Sequence, residues 1–449
     1  MTTRTKSSTE RDPLLRDPEA QQRLVLHHDE EPYLRRLLSV VTEIVPLSLF
    51  AFGGPPSHLA MAHDRFVTTK RWLSDDRFLE VLSIASAIPG PSSTQVVTSM
   101  GLFRAGPLGG VVALFFWVLP SFLVLTAAGV GAQTYLHNGL PPWMAGLAPA
   151  AVSLVVIAAV RLWQKAVGDD LLKAGIATAS SCIVLATQGL STLVFPGVML
   201  VGGLTVLSAH VTGVAPAHVA ADRVASHNLQ KQIGISPLGG ALILLVWLAI
   251  FVFLAVFHPQ DASQHTLLSM FYTFYWIGSI IFGGGQVMLP MLLADFVGKG
   301  WVTKEQFLAG FALVQSLPGP LFNISAYLGA VLYGPVGAAV GVAGLFGPGV
   351  TLFFGLLPLW EKVRDNHQLK ILLSGVNAAA CGLVVASIFL LWEKAVHSNA
   401  NAAVGLATGL MVGVFNVPSP IAIILGAVVG YLLSPDVFNI GQQSFCAGV

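Results

Sequence analysis

Four polar residues that can hold an anion follow directly on a break in an apolar segment. The break is the triplet Pro89-Gly90-Pro91, and the residues after it are Ser92, Ser93, Thr94 and Gln95. Proline ends a helix because it lacks an N–H and clashes with the preceding turn. A helix that begins after the triplet presents free N–H groups, hydroxyls and the positive end of its dipole. This combination predicts a binding site for an oxyanion that needs no metal.

Three further breaks suggest that this site is shared between two parts of the chain. A second triplet, Pro318-Gly319-Pro320, is followed by Asn323, whose amide can donate. Glycine-rich breaks occur at Phe52-Gly53-Gly54-Pro55 and at Phe282-Gly283-Gly284-Gly285, the latter followed by Gln286. Unpaired backbone at membrane depth is tolerated only where protein or a wet cavity supplies partners. We therefore expect the four breaks to converge on one polar cavity near mid-membrane; the alternative is that they only kink packed helices.

Four ionisable residues are candidates for charge or proton coupling. Arg104 is the single Asp, Glu, Lys or Arg between residues 81 and 160; it either serves a functional site or snorkels to an interface. Glu43 is interpreted either as a proton-carrying carboxylate or as a helix-end residue. His58 and His63 can bind protons, although a structural polar role is the simpler interpretation. No Cys or carboxylate completes a ligand set with them, so we predict no metal and no cofactor.

The composition identifies the elements that must position these residues. The chain has 449 residues, of which 54% are hydrophobic and only 10% charged, with a mean hydropathy of +0.74. Soluble domains carry about 25% charged residues, so a soluble multidomain enzyme is excluded. Long charge-free windows predict an all-α polytopic protein with roughly 12 or 13 membrane helices, in the plasma membrane or an endomembrane. The lipid bilayer is thus an expected partner, while a net charge of +1 argues against nucleic acid.

Ordered matches along the chain indicate two homologous halves. Besides the breaks, Gly106-Pro107 matches Gly334-Pro335 and Pro120 matches Pro348, all at offsets of 228 to 230 residues. One apolar helix, residues 238–257, lies between the halves. A single helix between repeats that each return to their starting side would invert the second repeat, and transporters often bind substrate between inverted repeats. The fold prediction is therefore an inverted repeat with broken or re-entrant helices.

These observations divide the chain into five predicted segments. They are a disordered cytoplasmic tail over 1–35, a first transporter repeat over 36–210, a linker with the connecting helix over 211–265, a second repeat over 266–435 and a C-terminal end over 436–449. The tail is rich in charge, as disordered segments are. It contains an acidic-dileucine pattern, residues 10–15, which is interpreted either as an endomembrane sorting signal or as a chance match.

Longer motifs resemble the chromate ion transporter family in its two-domain form. In the first half they are Phe52-Gly53-Gly54-Pro55 with His58 and His63, Arg71-Trp72, and Pro89-Gly90-Pro91 with Gln95. In the second half they include Phe282-Gly283-Gly284-Gly285, Leu289-Pro290, Gly300-Trp301, Glu305-Gln306-Phe307, Leu317-Pro318-Gly319-Pro320-Leu321-Phe322 and Ala326-Tyr327-Leu328-Gly329. The resemblance implies an integral membrane transporter of chromate, with sulfate as the physiological look-alike, since both are tetrahedral dianions.

The sequence leaves more than one class of function open. We predict a secondary transporter of a small inorganic oxyanion, coupled to a co-transported or exchanged ion, and not an enzyme. The alternatives are an uncoupled anion channel and a membrane-embedded enzyme such as a chromate reductase. The enzyme would need a redox cofactor site or a close pair of thiols, and the three cysteines are widely spaced. A homodimer is a further state that the sequence leaves open.

Overall fold

The computed structural model describes residues 31–135, 146–188, 193–213, 233–257, 266–282, 284–360 and 366–433. Over these residues all regular secondary structure is helical, which confirms the predicted all-α class. The acidic-dileucine pattern, most of the predicted tail, the predicted C-terminal end and Gly283 lie outside the described residues. The first helix begins at Tyr33, slightly before the predicted start of the first repeat.

The helices follow the same order in both halves. The first half contributes α1 (Tyr33–Leu49), α2 (Pro55–His63, extended by a π-helical turn Asp64–Thr69), α3 (Asp75–Ala87), α4 (Ser92–Tyr135), α5 (Leu147–Ala166), α6 (Leu171–Ala186) and α7 (Val194–Val211). The connecting helix is α8 (Pro237–Phe257), as predicted. The second half contributes α9 (Leu267–Ile280), α10 (Met288–Leu292, extended by the π-helical turn Leu293–Val297), α11 (Lys304–Ser316), α12 (Ile324–Leu356), α13 (His367–Ala395), α14 (Asn399–Gly413) and α15 (Ser419–Leu432).

Six of the described helices are long and apolar enough to cross a membrane. They are α4, α5, α7, α8, α12 and α13, judged by length and composition. Shorter apolar helices, such as α6, α9 and α15, accompany them. The connecting helix α8 has a mean hydropathy of 3.0 in its most apolar window, and only 11% of that window is buried inside the protein. This pattern is typical of a helix that faces lipid along most of its surface.

A sharp reversal divides α4 into a short piece, α4a (92–104), and a long piece, α4b (107–135). Ala105 (φ −139°, ψ 24°) and Gly106 (φ 68°, ψ −164°) leave the helical region, and Pro107 begins the second piece. The two pieces lie so close that a Cβ on Gly101 would overlap the carbonyl oxygen of Gly109. α4a is therefore a short helix folded back on a long one. The reversal lies at residues 105–107, beyond the breaks at which the sequence predicts re-entrant helices.

The second half repeats this reversal within α12. Tyr333 (φ −139°, ψ 23°) and Gly334 (φ 61°, ψ −152°) divide it into α12a (324–332) and α12b (335–356). A Cβ on Gly329 would overlap the carbonyl oxygen of Gly337, as at the equivalent positions of the first half. The two halves thus share an unusual backbone geometry at matched positions.

The equivalent long helices α4b and α12b run in opposite directions where they pack. Near the start of α4b, Gly110 faces the ring of Phe354 near the end of α12b. Near the other end of α4b, the Gln133 amide donates to the carbonyl of Val331 (2.5 Å), which lies beside the start of α12b. Opposed equivalent helices are what an inverted repeat requires.

The halves also exchange helices further from the centre. Helix α5 of the first half packs on α14 and α15 of the second, while its equivalent α13 packs on α6 and α7 of the first. Small residues allow close approach at matched points: Gly146 lies against the backbone of Gly426, and Gly375 against that of Gly202. Neither half therefore buries its own core alone.

Candidate functional site

The breaks of the two halves are hydrogen-bonded to each other. The Gly90 N–H donates to the Ile281 carbonyl, and the Gly319 N–H donates to the Ala51 carbonyl, each over 2.8 Å. Each bond joins the middle of a Pro-Gly-Pro triplet to the residue just before the Phe-Gly-Gly break of the other half. Reciprocal pairing of this kind is the signature of a two-fold interface. The breaks thus meet, while the polar cavity near mid-membrane stays a prediction.

Gly90 is the most confined residue of these breaks. Its φ is 122°, and an added Cβ would lie 2.6 Å from Nε2 of Gln95 and 2.8 Å from Cα of Gly349. Any side chain here would be strained by the backbone and would push against the other half. A glycine at the centre of the triplet is therefore required by close approach as well as by conformation.

The glycine-rich breaks have comparable backbones in the two halves. Gly53, Gly54 and Gly284 have φ values of 90°, 74° and 104°. Gly285 begins a short 3-10 turn and packs beside Leu321. Gln286 follows half-buried, and its side-chain oxygen has no hydrogen-bond partner among the described residues.

The Gln95 side chain holds the first triplet against the second half. Its Nε2 donates to the carbonyls of Pro89 and Gly349, both at 2.9 Å. Its Oε1 is buried without a partner among the described residues. Because both N–H groups of the Gln95 amide bond to carbonyls, its side chain presents only an acceptor, and its predicted place in the anion site stays a prediction.

Asn323 plays the same part for the second triplet. Its Nδ2 donates to the Val118 carbonyl (3.2 Å) and to the hydroxyl of Ser121. Its Oδ1 is also buried without a partner among the described residues. The two amides are therefore latches between the halves, and Ser121 and Gly349 are their equivalent partners.

The first turn of α4a retains the groups that can receive an anion. The Gln95 N–H is the first to bond within the helix, to the Pro91 carbonyl (2.9 Å), so those of Ser92, Ser93 and Thr94 have no intrahelical acceptor. Ser93 and Thr94 are buried, and Ser92 is half-buried. The Thr94 hydroxyl accepts a bond from the indole N–H of Trp117 (3.3 Å).

His58 connects this turn to the meeting point of the breaks. Its Nε2 lies 2.9 Å from the Ala51 carbonyl, which also receives the Gly319 N–H. Because a carbonyl only accepts, Nε2 carries the hydrogen, and in the neutral ring Nδ1 accepts from the Ser93 hydroxyl at 3.2 Å. The ring is 1% exposed and lies edge-on to Trp117.

Arg104 forms contacts at the far end of α4a, beside the reversal. Its guanidinium binds the Ser39 hydroxyl (2.9 Å) and the Glu31 carboxylate (2.5 Å), and it lies over the ring of Trp72. These contacts tie the reversal to the N-terminal segment.

Glu43 and His63 also form ion pairs or hydrogen bonds with neighbouring helices. The Glu43 carboxylate pairs with Arg65 and with the Lys70 ammonium group (2.6 Å), which favours the structural interpretation. His63 bonds to the Asp75 carboxylate at 2.5 Å. Among the described residues, no three His, Cys, Asp or Glu side chains lie close enough to hold a metal.

The sequence did not identify the residues that complete the site from the other helices. Trp117, Ser121 and Gly349 contact it from α4b and α12b. The one sequence feature that pointed to them was the matched pair Pro120 and Pro348, since each proline is adjacent to a partner of Gln95 or Asn323.

A separate cavity of about 580 Å³ lies away from the breaks, between α6 and α7. Its lining is apolar and includes Ile176, Val198 and Val201.

Comparisons with known proteins agree with this two-part architecture. One family model, described as Chromate transporter, matches both residues 38–207 and residues 268–431. The Chromate transport protein of Pseudomonas aeruginosa is 28% identical over 397 residues, which cover 86% of this chain and 90% of that protein. The Probable chromate transport protein of Synechococcus elongatus is 26% identical, covering 86% and 93%.

A shorter relative matches only part of the chain. The Uncharacterized transporter YwrB of Bacillus subtilis is 30% identical over 160 residues, which cover 35% of this chain and 79% of that protein. No solved structure matches the chain.

Proposed function

Because the chain belongs to the chromate transporter family, we propose that it is a secondary transporter of a tetrahedral oxyanion, chromate with sulfate as its analogue. The family and the six candidate spans make it an integral, multi-pass membrane protein. Its relatives are named as transport proteins, not as enzymes. The substrate, its binding site and its coupling to an ion are the proposed part.

One observation carries the proposed binding site: the first turn of α4a lies largely buried at the meeting point of the halves, and three of its N–H groups have no acceptor among the described residues. A dianion that leaves water loses a large hydration free energy. The N–H groups of Ser92, Ser93 and Thr94, their hydroxyls and the positive helix end offset part of that loss. Gln95 and Asn323 act beside this site by holding the halves together.

The arrangement of the halves supports alternating access. The equivalent helices α4b and α12b run in opposite directions, as in transporters that bind substrate between inverted repeats. Because the halves exchange helices, each moving body would combine helices of both halves, and their motion would expose a central site to each side in turn. The reciprocal bonds of Gly90 and Gly319 join the breaks of the two halves beside the proposed site. Coupling to an ion then allows uptake or export against a gradient.

Flux into proteoliposomes tests this proposal. We expect radiolabelled sulfate and chromate to enter vesicles that hold the purified full chain, and a pH gradient to drive accumulation above equilibrium. Equilibration without accumulation under any ion gradient would instead identify an uncoupled channel. Absence of flux for both anions would overturn the proposed function.

A matched pair of hydroxyl variants tests the site. Ser93→Ala removes a hydroxyl from the first turn, and we expect it to lower flux by roughly 10-fold or more, since a hydrogen bond to a charged group is worth about 1.5–3 kcal/mol. Ser99→Ala is the control, because the buried Ser99 hydroxyl donates to the Val96 carbonyl of its own helix (2.6 Å). Equal flux in the two variants would place the anion elsewhere.

A further inference from the structure

Among the residues that the structure describes, His58 is the one titratable side chain in contact with both the first turn of α4a and the joined breaks. Its Nδ1 contacts Ser93, and its Nε2 shares the Ala51 carbonyl with the Gly319 N–H. At the offset of 230 residues that relates the Phe-Gly-Gly breaks, the second half has Met288, which is fully buried and apolar. The imidazole is thus an asymmetric addition to a symmetric backbone.

The groups around the ring are neutral. Its described contacts are a carbonyl, a hydroxyl and the edge of Trp117. The charged groups of the neighbouring elements have other partners: Glu43 of α1 pairs with Arg65 and Lys70, His63 of α2 with Asp75, and Arg104 of α4a with Glu31. From α12a the titratable group is Tyr327, whose ring packs on Gly310.

We propose that His58 takes up one proton when the oxyanion binds, and that Ser93 transmits the linkage between the two ligands. In the neutral ring Nδ1 accepts the hydrogen of the Ser93 hydroxyl. When Nδ1 takes a proton from hydronium or a buffer acid, the bond between that donor and its hydrogen breaks, the electron pair stays on the donor, and one N–H bond forms. Nδ1 then becomes the hydrogen-bond donor, the Ser93 oxygen becomes the acceptor, and the Ser93 hydrogen is freed to point at the anion. This inference rests on the proposed function, because it assigns the coupled ion to the same site.

Electrostatics gives the direction of the linkage. A buried imidazolium without a counter-ion is costly, and so is a buried dianion without a positive charge. Each ligand supplies what the other lacks, so each raises the affinity for the other by the same factor. Couplings of this kind typically amount to roughly 5- to 150-fold in affinity.

Calorimetry of sulfate binding tests the inference directly. Sulfate stays a dianion between pH 5 and 8, so the probe itself does not titrate in the range where an imidazole does. Titrations of the purified full chain in buffers of different ionisation enthalpy report the number of protons taken up per sulfate. We expect net uptake approaching one proton, and a sulfate affinity that rises by roughly 5-fold or more as the pH falls from 8 to 6.

Two variants assign that proton. His58→Gln keeps a donor for the Ala51 carbonyl and an acceptor for Ser93, so we expect sulfate binding without proton uptake and with an affinity independent of pH. His63→Gln is the matched control, because His63 bonds to Asp75 outside the proposed site; it should retain the uptake of the unmodified chain. Equal proton uptake by His58→Gln and the unmodified chain would overturn the assignment.

The outcomes also separate this inference from the proposed function. If the unmodified chain binds neither sulfate nor chromate at any pH, the proposed function is wrong. If it binds them without proton uptake, only the His58 linkage is wrong. If His58→Gln does not fold, the Ser93→Ala variant provides the test. We expect it to take up fewer protons per bound sulfate than the unmodified chain. An unchanged number would contradict the linkage between His58 and the anion through Ser93.

Discussion

At the start of α4a the chain has Ser92, Ser93 and Thr94, whereas the equivalent positions before α12a hold Leu321, Phe322 and Asn323. The backbones nevertheless agree closely: the reversals that follow have matching dihedral angles, with φ −139° at both Ala105 and Tyr333. Glycine and proline keep the shared geometry, while the side chains between them have diverged. The two halves therefore share their architecture, and if the proposed anion site is correct, we predict that the first half supplies most of it and that each chain binds one anion.

The two latches, Gln95 and Asn323, join the halves in the same way although their side chains differ. Gln95 reaches the Gly349 carbonyl, and the shorter Asn323 reaches the Ser121 hydroxyl. Each amide commits its N–H groups to the opposite half or to the adjacent break, so the contact across the halves survives a change in residue type. We therefore expect mutations to have equal effects in the two halves where the local contacts match, and unequal effects where those contacts differ.

The largest and most symmetric effect is expected at the reversals. Gly101→Leu and Gly329→Leu each force a side chain into the facing backbone of the same hairpin, which cannot move aside without opening it. We expect both variants to lose folded protein, measured as the monodisperse fraction on size-exclusion chromatography in detergent. A folded, active variant of either would contradict the close packing of the two pieces.

The triplets are expected to break the symmetry. A Cβ at Gly90 would meet the backbone of Gly349, whereas at Gly319 the nearest atom is the Ser121 hydroxyl (2.9 Å), which can rotate away. Both sites have positive φ, so both substitutions to alanine cost stability. We expect Gly90→Ala to reduce sulfate flux and melting temperature more than Gly319→Ala, and the reverse order would argue against the contact with Gly349.

The latches should again behave alike. Gln95→Ala removes the bonds to the Pro89 and Gly349 carbonyls, and Asn323→Ala removes those to the Val118 carbonyl and the Ser121 hydroxyl. Each lost hydrogen bond should cost about 0.5–1.5 kcal/mol. We expect similar falls in thermal stability, with sulfate affinity retained at temperatures where the protein is folded. If Gln95→Ala lowered the sulfate affinity without lowering the thermal stability, Gln95 would contact the anion directly.

The smallest effect is expected at Arg104, which has no counterpart because Leu332 occupies the equivalent position. Arg104→Gln removes an ion pair to a partly exposed Glu31, worth about 1 kcal/mol or less. We expect a small loss of stability, matched by Glu31→Gln, and unchanged sulfate affinity in calorimetry. If Arg104→Gln abolishes binding in folded protein and Glu31→Gln does not, the anion lies near the guanidinium.

The sequence was sufficient for features that depend on local chemistry. The breaks, their matched positions and the connecting helix follow from where glycine, proline and charge occur, and the helix predicted over 238–257 is Pro237–Phe257. The match of Gly106-Pro107 with Gly334-Pro335 was visible, but the complete reversal there was not. A glycine before a proline is compatible with a kink as well as with a hairpin, and only the contact of Gly101 with Gly109 decides between them.

Features that depend on distant partners could not be predicted. Gln95 is predicted to bind an anion as part of the helix start after the first triplet, yet its amide bonds to a carbonyl 254 residues away. The same limit applies to Asn323 and the Val118 carbonyl, 205 residues apart. Residue type predicts what a side chain can donate, but the direction of donation is set by the packing of the two halves.

The exchange of helices between the halves has a consequence for how the chain is made. Gly146, at the start of α5, packs against Gly426 of α15, and this contact can form only after Gly426 has been synthesised. At roughly 5 to 20 residues per second, the ~280 residues between them take roughly 15 to 55 s to translate. During that interval the first half is in the bilayer with its small-residue face uncovered, so a ribosome that stalls in the linker leaves a nascent chain competent to pair with the wrong copy.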